Sequence, residues 1–215
     1  MRDLPEAPWR LSGEALVGLV WAGRDRRPLP DGVGRLPGPT LVGAVSYTST
    51  PVGRYRELFV ARPSRLGMRP GLTVTTMVVD SADSRMAGRL SWGLPKELGT
   101  LEWSVDGDER VMTWRERGLV LRGTTSAFRL PVIAPVRTMQ RRADGAVLVP
   151  GRWWGRVSMA RVTVETADDD DLAPLAGVHR GLGIRGLGLV MQPARHPLGR
   201  LKSLTAPATA PEATA

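Results

Sequence analysis

The stretch AGRLSWGLPKELGTLEW (residues 87–103) contains Lys96, in a chain that otherwise almost avoids lysine. Of 30 basic residues only Lys96 and Lys202 are lysines, and the other 28 are arginines. As exposed positive charges the two side chains are near equivalents, but only an amine can shed its proton near neutral pH and attack a carbonyl. Lys96 is therefore a candidate nucleophile. An amine attacks only as the free base, so it needs apolar burial or a neighbouring cation. Trp92, Leu94, Pro95 and Leu98 supply apolar surface around it, and Pro95 stiffens the segment that presents it. The plain alternative is a surface lysine at a helix-strand junction, which the arginine bias argues against.

Other chemistries fail on context. With no cysteine in the chain, disulfides, thiolate metal sites and cysteine nucleophiles are excluded. GLGIRG (residues 181–186) spells the dinucleotide fingerprint, but that motif needs a strand before it, a helix after it and a downstream acid. Pro193 and Pro197 interrupt the segment downstream of it, so the run reads as a glycine-rich approach to the last strand. Asp168 to Asp171 lacks the spaced ligands of a calcium loop and reads as a solvated turn. His179 and His196 have neither zinc-site spacing nor a G-x-S-x-G elbow nearby. No metal and no cofactor is expected. Trp103 and Trp114 fall on strand positions, where core packing accounts for them.

The surrounding elements read mostly as strands. TLVGAVSYTST (40–50), YRELFVA (55–61) and LTVTTMVV (72–79) are rich in β-branched and aromatic residues and bounded by Pro and Gly. In DSADSRMAGRL (80–90), Asp80 or Ser81 is a possible N-cap for a short helix ending before the WGLP turn. Asp106-Gly107 and Asp144-Gly145 are hairpin signals. RWWGRVSMARVTVETA (152–167) suits one bent strand or two short ones. A single domain over 1–203 is expected, followed by a disordered Ala/Pro/Thr-rich tail at 204–215.

The net charge of +9 and pI near 11.2 raise nucleic-acid binding. The arginines are scattered among acids rather than gathered in a stripe, and the densest run, RTMQRRADG (137–145), reads as a hairpin, so no nucleic-acid partner is expected. The N-terminus lacks the apolar run of a signal peptide, and no stretch approaches a membrane span. The expectation is a soluble cytoplasmic protein with no membrane partner.

TSTPVGRYRELFV (48–60) followed by AGRLSWGLPKELGTL (87–101) resembles the acetoacetate decarboxylase superfamily, whose members carry a Y-x-E segment and then a G-R…P-K segment. GLGLVMQPAR (186–195) adds a weaker similarity. The resemblance implies a mainly β fold: a closed antiparallel β-barrel with flanking sheet and one or two short helices. It implies a homo-oligomer and a small keto acid substrate, taken through decarboxylation or aldol/dehydration chemistry. By the P-K match Lys96 forms a Schiff base with the ketone, and by the Y-x-E match Glu57 is the buried acid/base. Arg89, at the G-R position, orients the substrate carboxylate or holds the turn. Tyr55 and Trp92 complete the implied substrate-binding set.

Three positions depart from the family pattern. Acetoacetate decarboxylase proper has a second lysine where this chain has Glu97, and a carboxylate there would hold the proton on the amine unless it faces away, as adjacent residues of an extended segment do. Burial, or Arg54, Arg56 or Arg89, would then have to activate the lysine. An upstream glutamate of the family falls near Val42, and an N-terminal arginine near Glu14. The departures leave a second reading, a non-catalytic barrel of the same fold that binds a small ligand.

Overall fold

The computed structural model describes residues 4–21, 25 and 27–196; the tail at 204–215 and Lys202 lie outside them. The strands β1 (Trp9–Val20) and β2 (Val33–Arg35) precede three long ones, β3 (Thr40–Ser49), β4 (Tyr55–Leu66) and β5 (Arg69–Val79). Helix α1 (Ala82–Trp92) leads into the short β6 (Lys96–Leu98). A meander of β7 (Leu101–Asp106), β8 (Glu109–Trp114) and β9 (Leu119–Thr125) comes next, then the hairpin of β10 (Leu130–Arg142) and β11 (Gly145–Glu165), and last β12 (Gly177–Met191). None of the described helices is long and apolar enough to cross a membrane.

Several expectations change at their edges. Both Asp-Gly hairpins form, at Asp106-Gly107 and Asp144-Gly145. The segment read as one bent strand or two is a single 21-residue strand, β11. GLGIRG is not an approach to the last strand but part of it, laddered to both β1 and β11. Helix α1 runs on to Trp92, past the expected end. Ser81 caps its start by accepting the Ser84 N–H at 3.2 Å. Its stop is Gly93, whose φ of 68° is open to glycine at little steric cost.

One continuous sheet runs β10-β5-β4-β3-β1-β12-β11-β9-β8-β7. Because β10 also pairs with β11 along its whole length, the path curls back on itself. Its seam is thin: β10 meets β5 at one parallel pair, Thr138 with Leu72. The pairing is mixed rather than purely antiparallel, since β6 too runs parallel to β5. Pro70 on β5 and Pro131 and Pro135 on β10 bring no N–H to any ladder. The mainly β class stands.

Two cores lie on the two faces of this sheet. Leu16, Val42, Leu58, Val162 and others pack with Met112 and Trp114 of the meander. On the other face Trp9, Leu11, Val45, Tyr47, Tyr55 and Trp92 belong to the second core. Bulges keep the inward face apolar over its length. Val60 pairs with Thr76 and Ala61 with Val74, so Thr75 is unmatched. That extra residue resets the alternation, and Leu72, Val74 and Met77 all face inward despite their odd spacing. A bulge at Arg185 and Gly186 does the same for Ile184 and Leu187 on β12.

Candidate active site

Lys96 is fixed from both directions. The chain leaves α1 through its left-handed glycine, and β6 then docks parallel to β5, with Lys96 opposite Met77. Extended geometry turns Lys96 inward, where it is 3% exposed, and Glu97 outward into solvent. The carboxylate that would have held a proton on the amine therefore points away.

The Lys96 amine donates to Glu57 Oε2 at 2.8 Å and to Ser84 Oγ at 2.9 Å. Its Nζ lies 5.1 Å from the centre of the Tyr55 ring. Glu57, 6% exposed on β4, accepts the Tyr47 hydroxyl at 3.4 Å on its other oxygen. The aliphatic stem of Lys96 crosses α1 at Gly88. A Cβ there would sit 2.6 Å from Lys96 Cδ and 2.7 Å from Cε, so the absence of a side chain is what lets the lysine reach Glu57.

Burial pushes both phenols well above their ordinary range, and the nearby Glu57 carboxylate pushes the same way; for Tyr55 a hydrogen bond with Ser84 works against them. Both therefore remain neutral donors across the working pH range. Tyr47 and Tyr55 are also the chain's two tyrosines, so a tyrosinate absorbance titration reads this site alone. With folded values raised, their linkage stabilises the fold below the ordinary tyrosine pKa and is lost as pH rises through the raised ones. Tyrosinate is expected to appear in step with alkaline unfolding, and well above pH 10. A free titration at the ordinary value with the fold intact would contradict the site.

The pair opens on a cavity of about 290 Å³ inside the curl of the sheet. Its walls are apolar side chains from β1, β3, β4, β5, β10, β11 and β12, with Trp92 and Leu94 beside the lysine. Apart from indoles, the lining side chains with polar atoms are Tyr47, Tyr55, Glu57, Lys96 and Thr138. The Trp9 and Trp92 N–H groups are already committed to the carbonyls of Pro5 and Gln192, each at 2.9 Å.

Four of the five residues expected at the site, Lys96, Glu57, Tyr55 and Trp92, line this cavity; Arg89 does not. It is exposed in the last turn of α1, and its part in the turn is played by its backbone carbonyl, which accepts the Gly93 N–H at 3.0 Å. Nor do the other proposed activating cations face the amine: Arg54 is exposed, and Arg56 is tied to Asp80 at 2.9 Å. Val42 is buried in the opposite core, while Glu14 accepts from Trp103 Nε1 at 3.2 Å and from Arg110 Nε at 3.4 Å. Neither lines the cavity.

Sequence reading missed Ser84, Tyr47 and Gly88. Ser84 and Gly88 are four residues apart and so share a face of α1 with Trp92, a spacing visible once the helix is placed. Elsewhere the polar motifs are engaged structurally. The His179 Nε2 lies 3.0 Å from the Leu175 carbonyl, His196 pairs with Asp144, and Asp170 and Asp171 bind Arg117. Among the described residues no group of three or more His, Asp or Glu is placed to hold a metal ion.

Solved structures with the same fold include acetoacetate decarboxylase from Legionella pneumophila (TM-score 0.66, 15% identity, 91% of this chain and 89% of that one). The enduracididine biosynthesis enzyme MppR, complexed with pyruvate, is similarly close (TM-score 0.65, 19% identity, 91% of each chain). An acetoacetate decarboxylase-like enzyme from Sphingomonas wittichii RW1 is a further match (TM-score 0.59, 18% identity, 86% and 90%). No curated protein sequence gives a significant match. The family model for acetoacetate decarboxylase matches residues 32–179, more than half of the chain, and on that match the chain belongs to the acetoacetate decarboxylase family.

Proposed function

We propose that this protein is a cofactor-free enzyme that forms a lysine Schiff base with a keto acid, with Lys96 as nucleophile and Glu57 as acid/base. The observation that carries the reading is the buried Lys96–Glu57 contact at 2.8 Å, opening on an apolar cavity. That distance is right for Glu57 to take a proton from the amine. The free amine then attacks the substrate carbonyl, and Glu57 returns the proton to the departing hydroxyl, releasing water and leaving an iminium beside a carboxylate.

From the iminium two outcomes are open. A β-keto acid loses carbon dioxide, the electrons of the broken C–C bond moving into the iminium to give an enamine. Glu57 then delivers a proton drawn from solvent to carbon, and water hydrolyses the product iminium. Alternatively Glu57 removes an α-proton, and the enamine adds to an aldehyde and loses water. One of the solved MppR structures is described as holding the condensation product of pyruvate and imidazole 4-carboxaldehyde, which keeps the second route in view for this chain. By analogy with the family, we extend the proposal to a homo-oligomeric assembly.

Sodium borohydride added with acetoacetate or pyruvate is expected to leave a reduced adduct on Lys96, read by intact mass and located by peptide mapping. Lys202 is the other lysine, so the assignment is unambiguous. The adduct should vanish in Lys96→Arg. Absence of a Lys96 adduct across a panel of keto acids and ketones would overturn the enzyme reading and favour a reversible binder.

A further inference from the structure

We infer that the substrate carries an extended, uncharged hydrocarbon tail on its carbonyl, lying along β5 away from Lys96. This deepens the Schiff-base reading and rests on it for the placement of the carbonyl. The cavity is much longer than a three- or four-carbon acid requires. Lys96 stands opposite Met77 and Thr138 opposite Leu72, and all four line the same space. Met77 and Leu72 lie opposite Phe59 and Pro63, four residues apart on β4, a span of roughly 13 Å at the strand rise. The volume of 290 Å³ equals that of roughly ten waters.

The chemistry of the wall fits only an apolar occupant over that span. No arginine and no lysine besides Lys96 lines the cavity, and the one carboxylate, Glu57, is engaged at the head. Between the two ends the facing side chains include Ala61, Val74, Val136 and Val149. At the far end the polar side chain is Thr138, uncharged and half-buried, with its hydroxyl tucked away from solvent and bonded to none of the described residues. A charged tail there would lose its hydration with nothing to replace it. Any charge on the substrate is therefore confined to the head, beside the iminium.

The test is a homologous series at constant head group: acetoacetate against longer β-keto acids, and acetone against longer methyl ketones. Reversible binding is read through the fluorescence of the cavity residues Trp9, Trp92 and Trp153, and imine formation by borohydride trapping. Each added methylene is expected to tighten binding about three- to fourfold until the cavity is full. Binding that is flat with length, or best for the shortest member, overturns the inference. Trapping that fails throughout while binding still climbs with length removes the Schiff base and leaves the tail. Narrowing the far end with Leu72→Trp, or with Val136→Trp should that variant not fold, is expected to move the optimum to shorter tails. An optimum that stays put in a folded variant overturns the placement along β5.

Discussion

Lys96→Met is expected to abolish imine trapping and to cost the fold about 3–5 kcal/mol, because it leaves the Glu57 carboxylate buried without its counter-ion. Both side chains are almost excluded from bulk solvent, at 3% and 7%, so hydration replaces the lost partner only in part. Glu57→Leu strands the ammonium instead and is expected to cost about as much. The double variant Lys96→Met/Glu57→Leu should recover most of the loss, since well-packed apolar replacement of a buried ion pair is often neutral or stabilising by about 1–4 kcal/mol. Denaturant unfolding of the four proteins closes the cycle, provided the m values stay constant. Single changes that each cost less than about 1 kcal/mol would instead indicate a hydrated surface-like pair. A recovering double variant would mean that the pair is no requirement of the fold, which fits retention for chemistry.

The parts of this arrangement legible in the sequence were those carried by local residue types. The isolated lysine marked Lys96 and β-branched runs marked β3, β4 and β5, while Glu57 came only through the family resemblance carried by the Y-x-E segment. The strand β1 was harder to see, since Gly13 and Gly18 dilute its alternation. Arg89 lies outside the cavity because residues adjacent in a linear motif are turned to different faces by a helix. Ser84, Gly88 and Trp92 succeed one another at four-residue spacing and are buried, whereas Arg89, about 100° further round, faces solvent. Neither Ser84 nor Gly88 announces itself, because small residues contribute no hydrophobic period. The single-pair seam between β10 and β5 was out of reach for another reason. It depends on a pairing between residues 72 and 138, remote in sequence, and the prolines flanking it were visible without a partner to relate them to.

Gly88→Ala separates the position of the lysine from its existence. In an ordinary helix interior this substitution stabilises by about 1 kcal/mol, and α1 is well capped, so helix formation gains. The new methyl group, however, falls on the lysine stem, at 2.6 Å from Cδ, well inside contact distance. The backbone of α1 is anchored at both ends by its caps and Trp92 is packed edge-on against Trp9, with ring centres 5.0 Å apart. The flexible lysine is thus the part that yields, and its amine is drawn off Glu57 and Ser84. A displacement of about 1 Å at a reacting atom is enough to cost on the order of 100-fold in rate. The expected result is a variant that folds, keeps its circular dichroism and retains a lysine at 96, yet traps a ketone about 100-fold more slowly than wild type. Trapping at the wild-type rate would mean that the stem does not cross the helix at Gly88, and with it would go the geometry that brings the amine to the carboxylate.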